Sequence, residues 1–225
     1  PSPFRRNNNG SYLYLFKEQM IVKEILAAHP SEFGQDMLMI DKLVRMQHYG
    51  IPTRLLDVTS NPLVALYFAV SGRRQDEAGQ DIVGEVIIMK PSNNQIKFFD
   101  SDTVGCIANL ARLSADQIEK IDTRSTPEEF RESASGKELL QCLKSEKPYF
   151  DARIIPEDLS KTIFVRPRKA NVRVTSQSGS FLIFGKDAIL PETGHSDIEV
   201  KRIQISNKAG ILRELEKMNV KASTI

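Results

Sequence analysis

Apolar residues in the first third of the chain recur at helical spacing. Phe16, Met20, Ile21, Ile25 and Leu26 place one stripe on a helix that ends near His29-Pro30. Met37, Ile40, Leu43, Val44 and Gln47 share a face of a second helix, and Gly50 is placed to stop it in a left-handed turn before Ile51-Pro52. A third helix has Ser60 or Asn61 as its cap, Pro62 in its first turn and Leu63 to Val70 as its body, ending at Ser71-Gly72. It is so apolar that the pattern predicts burial. The polar stretch from Arg73 to Gln80 reads as a loop, and Asp81 to Lys90 then alternates and branches like a strand.

Two short helices are announced by capping boxes, Ser114-x-x-Gln117 and Thr126-x-x-Glu129, the second with Pro127 at its first position. Ile163 to Val165, Val172 to Val174, Phe181 to Phe184 and Ile198 to Ile205 read as strands. Lys208 to Met218 reads as a closing helix with Ile211, Leu212 and Leu215 on one face. No repeat, low-complexity tract or long Pro/Ser linker divides the chain. The expectation is one α+β domain over residues 1–225: a helix-rich N-terminal third, a β-rich portion with a mixed or antiparallel sheet, and a closing helix.

Composition narrows the class without naming a function. The 225 residues are 40% hydrophobic and 27% charged, ordinary globular values that exclude a disordered or fibrous chain. Lys+Arg 31 against Asp+Glu 29 is too balanced to argue for nucleic acid or membrane, so any such partner must be read locally. The longest apolar runs fall well short of the ~20 residues a bilayer requires, and no basic start with an apolar stretch opens the chain. A soluble protein in a reducing cytoplasm is expected. Cys106 and Cys142 form no Cys-x-x-Cys and have no histidine pair nearby, so they read as buried small hydrophobes rather than zinc ligands or a disulfide. His29, His48 and His195 are widely separated, and no metal is expected. Gly-x-Gly-x-x-Gly, His-Glu-x-x-His and Gly-x-Ser-x-Gly are all absent. Gly179 to Lys186 fails as a phosphate loop, having five residues between its glycines and Asp187 after the lysine.

Chemistry concentrates in residues 47–69, Gln-His-Tyr-Gly-Ile-Pro-Thr-Arg-Leu-Leu-Asp-Val-Thr-Ser-Asn-Pro-Leu-Val-Ala-Leu-Tyr-Phe-Ala. Read without context, this is a helix end, a tight corner and a helix start with polar groups compressed into the join. Helix ends present unpaired carbonyls and N–H groups, so such a join can be a site. The everyday alternative is that Asp57 pairs with Arg54, Thr59 and Ser60 cap the next helix, and His48 satisfies a backbone carbonyl. Between Leu55-Leu56 and an apolar helix, Arg54 and Asp57 are both expected to be at least half buried and hydrogen-bonded.

This segment closely resembles the signature of the FRG domain family, Gln-His-Tyr-Gly-(Leu/Ile)-Pro-Thr-Arg-Leu-Leu-Asp-Trp-Thr-x-Asn-Pro-x-x-Ala-Leu-Tyr-Phe-Ala. Pro1-Ser2-Pro3-Phe4-Arg5 looks like the segment just after the family's Phe-Arg-Gly, and Gln177-Ser178-Gly179-Ser180-Phe181 looks like its later Gln-x-Gly-x-Phe strand. Val58 departs from the family's tryptophan, and the chain begins after the place where Phe-Arg-Gly should stand, as a fragment would. The resemblance implies a bacterial protein from a phage-defence or toxin-like setting. It carries a fainter likeness to ADP-ribosyltransferases, which hold NAD in a cleft. On that likeness His48, Arg54 and Gln177 are the catalytic candidates, Gln47, Asp57, Thr59 and Tyr67 the NAD-binding candidates, and Glu199 the late carboxylate. The missing Phe-Arg-Gly would supply the arginine that grips the dinucleotide. Gln177 is expected to pack beside the join at residues 47–54.

A second reading rests on charge. Lys161, Arg166, Arg168, Lys169 and Arg173 put five basic and no acidic residues into thirteen positions, flanked by Phe164 and Phe181, a pattern that suits a groove tracking phosphates of a nucleotide or nucleic acid. The alternative is a solvated charged strand beside the acidic stretch from Asp151 to Asp158. Tyr67 and Phe68 also read as plain core. Three classes stay open: a transferase using NAD, a non-catalytic module that recognises nucleic acid or a phage component, and a purely structural domain.

Overall fold

The computed structural model describes residues 14–72, 79, 81–151, 153–168, 179–186, 190, 193–195 and 197–224. Its elements, in chain order, are α1 (Glu18–Ala28), α2 (Pro30–Phe33), α3 (Met39–His48), β1 (Leu55–Thr59), α4 (Pro62–Ser71), β2 (Gly84–Pro91) and β3 (Ile96–Phe98), then α5 (Asp102–Asn109), α6 (Ala115–Glu119), α7 (Pro127–Glu132), α8 (Ala134–Glu146) and β4 (Thr162–Arg166), and finally β5 (Gly179–Phe184), β6 (Gly194–His195), β7 (Ile198–Ile205) and α9 (Lys208–Lys217). The fold is α+β, helix-rich in its N-terminal part, as the pattern predicts. The expected strand at Val172 to Val174 and the segment from Pro1 to Arg5 lie outside the described residues. No described helix is long and apolar enough to cross a membrane, and no three described His, Cys, Asp or Glu side chains are grouped to hold a metal ion.

Two compact units divide the chain. The first comprises residues 1–56, 96–166 and 181–189, the second residues 57–95, 167–180 and 190–225, so a boundary falls inside β1 after Leu56. The core of the first unit gathers Leu43, Met46, Val104, Ile107, Leu110, Leu139, Leu143, Leu159, Ile163 and Ile183, all buried. Its four-stranded sheet runs β1-β5-β4-β3, with β3 parallel to β4 and β4 antiparallel to β5, hence mixed.

The local helix signals are realised in detail. Ser114 and Thr126 each close a reciprocal capping box with Gln117 and Glu129, starting α6 and α7, and Pro127 occupies the first position of α7. Ser133 caps α8 through the Gly136 N–H at 3.0 Å. A side chain at position 136 would run into the Phe130 carbonyl oxygen, so glycine is what lets α8 follow directly on α7. Pattern reading did not anticipate α5 or α8. Every residue of α5 from Val104 to Asn109 is buried, so the helix has no polar face for periodicity to reveal. In α8 the inward row Leu139, Cys142, Leu143 and Glu146 has helical spacing but ends in a carboxylate.

Burial corrects two predicted faces. In α1 the buried residues are Glu18 and Val22, whereas Met20 is 64% exposed. In α4 the buried residues are Val64 and Val70; Leu63 and Phe68 are exposed, so this apolar helix is not the buried one expected.

The second unit holds an antiparallel sheet of order β2-β7-β6, with Ile87 opposite Arg202 and Lys90 opposite Glu199. Helix α4 packs against β2 and α9. An open groove of about 360 Å³ has Leu63, Leu66, Ile211, Leu215 and Met218 among its walls.

Candidate functional site

The join at residues 47–54 is built by a helix stop. Gly50 takes φ +76°, and its N–H donates to the Gln47 carbonyl at 2.9 Å while the Ile51 N–H donates to that of Met46 at 3.0 Å. These two bonds are the Schellman arrangement, which satisfies carbonyls left over at the end of α3 and requires a residue at ease with positive φ. The chain then turns through Ile51-Pro52. Thr53 is buried; its hydroxyl donates to Gln47 Oε1 at 3.1 Å and accepts from the Leu55 N–H at 3.4 Å. Gln47 is thereby committed to holding the corner.

Arg54 is the most buried charged group of the site, 1% exposed. Its Nε donates to Glu18 Oε1 at 3.0 Å and its Nη2 to Glu18 Oε2, a two-pronged ion pair across 36 positions. Its Nη1 donates to the Phe184 carbonyl at 2.9 Å, and the Phe184 N–H donates to the Arg54 carbonyl at 3.1 Å. One side chain therefore ties α1, the start of β1 and the end of β5 together.

The alternative Arg54–Asp57 pair is not formed, and of the two residues expected to be buried and bonded only Arg54 is. Asp57 is exposed on β1, and the carboxylate that answers Arg54 is Glu18. Arg54 lies in the bend just ahead of β1 and is buried with its neighbours Thr53 and Leu55, whereas Asp57 stands further along the strand at an exposed position. Glu18 lies between the apolar Phe16 and Met20, so the apolar stripe does not single it out. The signal available was its spacing, since Glu18, Val22 and Ile25 form an i, i+4, i+7 row.

The remaining candidates are distributed. His48 is half-buried in the last turn of α3, in the first unit with Gln47 and Arg54. Asp57, Thr59 and Tyr67 belong to the second unit. Thr59 Oγ1 accepts from the Asn61 N–H at 3.0 Å, and Asn61 Oδ1 accepts from the Leu63 N–H at 3.0 Å, so Asn61 rather than Ser60 caps α4. Tyr67 is half-buried, edge-on to Phe68 with ring centroids 5.8 Å apart. Gln177 lies outside the described residues. Glu199 stands on β7 at the surface of the second unit, where its pairs with Lys201 at 3.1 Å and Lys90 at 3.9 Å hold its carboxyl below the usual range.

The basic segment also divides. Lys161 is taken up by Asp158 at 2.6 Å and Glu157 at 3.2 Å, and these carboxylates raise its pKa against the opposing effect of burial. Arg166, at the end of β4, is exposed and in no ion pair among the described residues. Its guanidinium lies over the Phe98 ring, 5.6 Å from the centroid. Arg168 makes a further interaction of its own, and Lys169 and Arg173 lie outside the described residues. Of the flanking aromatics, Phe181 is core and Phe164 half-buried.

Residues 3–78 match the family model of the FRG domain. No curated protein and no solved structure matches the chain.

Proposed function

With an FRG domain over residues 3–78 as premise, we propose that this protein is a non-catalytic recognition module for nucleic acid, in which the signature segment holds the fold and the ligand is met at Arg166. The observation that carries the reading is the commitment of Arg54. An arginine that grips a phosphate does so with its donor fork. The fork of Arg54 is spent on Glu18 and on the Phe184 carbonyl, at 1% exposure. Withdrawing it toward a ligand would leave the Glu18 carboxylate buried without its partner, at a cost of roughly 3–5 kcal/mol. Gln47 is likewise engaged by Thr53.

Arg166 stands in the opposite condition, an exposed cation at a strand end. Contacts of this kind favour a polyanion by releasing its counterions, which makes binding weaken as salt rises.

The competing reading is an NAD-dependent ADP-ribosyltransferase-like effector of a phage-defence or toxin system, with His48 as its catalytic candidate. Titrating the chain with short oligonucleotides across a salt series, and in parallel with NAD while following nicotinamide release, separates the two. Oligonucleotide binding that weakens with salt and in Arg166→Ala, beside silence toward NAD, supports the module. NAD binding abolished by His48→Ala at unchanged stability would put the transferase in its place.

A further inference from the structure

We infer that Phe98, partnered by Arg166, is a stacking platform for an unpaired base, which makes the ligand single-stranded nucleic acid. The inference rests on the recognition reading above and adds the state of the strand recognised. Its ground is a side chain that the sequence pattern did not single out. Phe98 ends β3, the outer strand of the first unit's sheet in the order β1-β5-β4-β3, and sits opposite Arg166 in the parallel register. It is 59% exposed, although a phenylalanine contributes to stability by leaving water.

The pairing with Arg166 explains what such a ring can do. A guanidinium over an aromatic face is held by the ring quadrupole, so the cation is pre-positioned beside an exposed π surface. The Phe99 N–H donates to the Arg166 carbonyl at 3.0 Å, which continues the β3–β4 pairing just past the ring. A base can lie against the ring or the guanidinium plane while the charge attracts its phosphate. In a duplex the bases are stacked on one another and offer a side chain only groove edges and phosphates, so an exposed phenylalanine gains little there. The nearest acidic side chains in sequence are Asp100 and Asp102. Lys147 donates to the main-chain carbonyl of the first at 2.7 Å and to the carboxylate of the second at 2.9 Å, so the Asp102 charge is paired.

The test uses fluorescein-labelled dT12, dA12 and a 12-base-pair duplex with the chain as it stands and with Phe98→Ala, Phe98→Leu and Arg166→Ala. Because Phe98 is exposed, its variants should keep the wild-type circular dichroism. The expected result is tighter binding of both single strands than of the duplex, a loss of about tenfold or more for single strands in Phe98→Ala and Phe98→Leu, and no change toward the duplex. Equal affinity of wild type and Phe98→Ala for dT12 and dA12 overturns the stacking role, while weakening by Arg166→Ala in the same experiment leaves the recognition reading standing. Absence of binding to all three probes overturns both.

Discussion

Glu18 and Arg54, one at the start of α1 and the other just ahead of β1, form a two-pronged ion pair with side chains 3% and 1% exposed. A pair this deep is weak evidence of net stabilisation, because removing two charges from water costs about what their attraction returns. Its removal by halves is another matter.

Replacing either partner alone should therefore be severe. Glu18→Gln and Arg54→Met are each expected to destabilise by roughly 3–5 kcal/mol, measured as a fall in the urea midpoint with the slope unchanged. Asp57→Ala should stay within about 0.5 kcal/mol, because Asp57 is exposed. A midpoint for Arg54→Met equal to that of wild type would contradict the buried ion pair.

A half-buried carboxylate gives a pH signature. Glu146, at the end of α8, accepts from the Met39 N–H at 2.5 Å and from Asn109 Nδ2, so it caps α3 from another helix. Burial raises its pKa, against the opposing effects of those two bonds and of Arg112 and Lys42 nearby. A carboxyl with a higher pKa folded than unfolded favours the folded state in its protonated form. That contribution is complete below the unfolded value, about 4.3, and is lost as pH rises through the raised folded value. Wild-type stability relative to Glu146→Gln should thus decline with rising pH across this window and level off above it. Melts of both proteins at closely spaced pH values check the sign; a difference that grows with pH would refute it.

The Cys106 thiol should be inert while the protein is folded. Burial pushes its pKa up to about 12, with Asp102 adding to the effect. The thiolate is the nucleophile, so at neutral pH Cys106 is expected to resist a disulfide reagent such as dithionitrobenzoate in buffer and to react once urea unfolds the chain. Rapid native labelling of Cys106, mapped by peptide mass, would count against the buried position.

Local bonding made several features legible from sequence alone. The boxes at Ser114 and Thr126 and the stop at Gly50 each form between residues three to five apart, so residue type and spacing suffice to specify them. The strands at 163–165, 181–184 and 198–205 were readable from their apolar and β-branched runs and the final helix from its apolar spacing, as was the family-like segment that ends at Ala69.

What the tertiary structure decided is which partners meet. Asp57 stands three residues from Arg54 and Glu18 thirty-six, yet only Glu18 lies on the side to which Arg54 turns. Proximity along the chain favours the near pair by a small closure entropy, yet Asp57 is exposed while Glu18 is buried at the fork of Arg54. The same holds for Phe98, whose meaning comes from the parallel register that sets it beside Arg166. Sequence determined the helix ends that capping boxes and the Gly50 stop mark, because those depend on a few neighbouring residues. The pairing of buried charges and the exposure of a ring depend on chain segments far apart in sequence, and only their packing settles them.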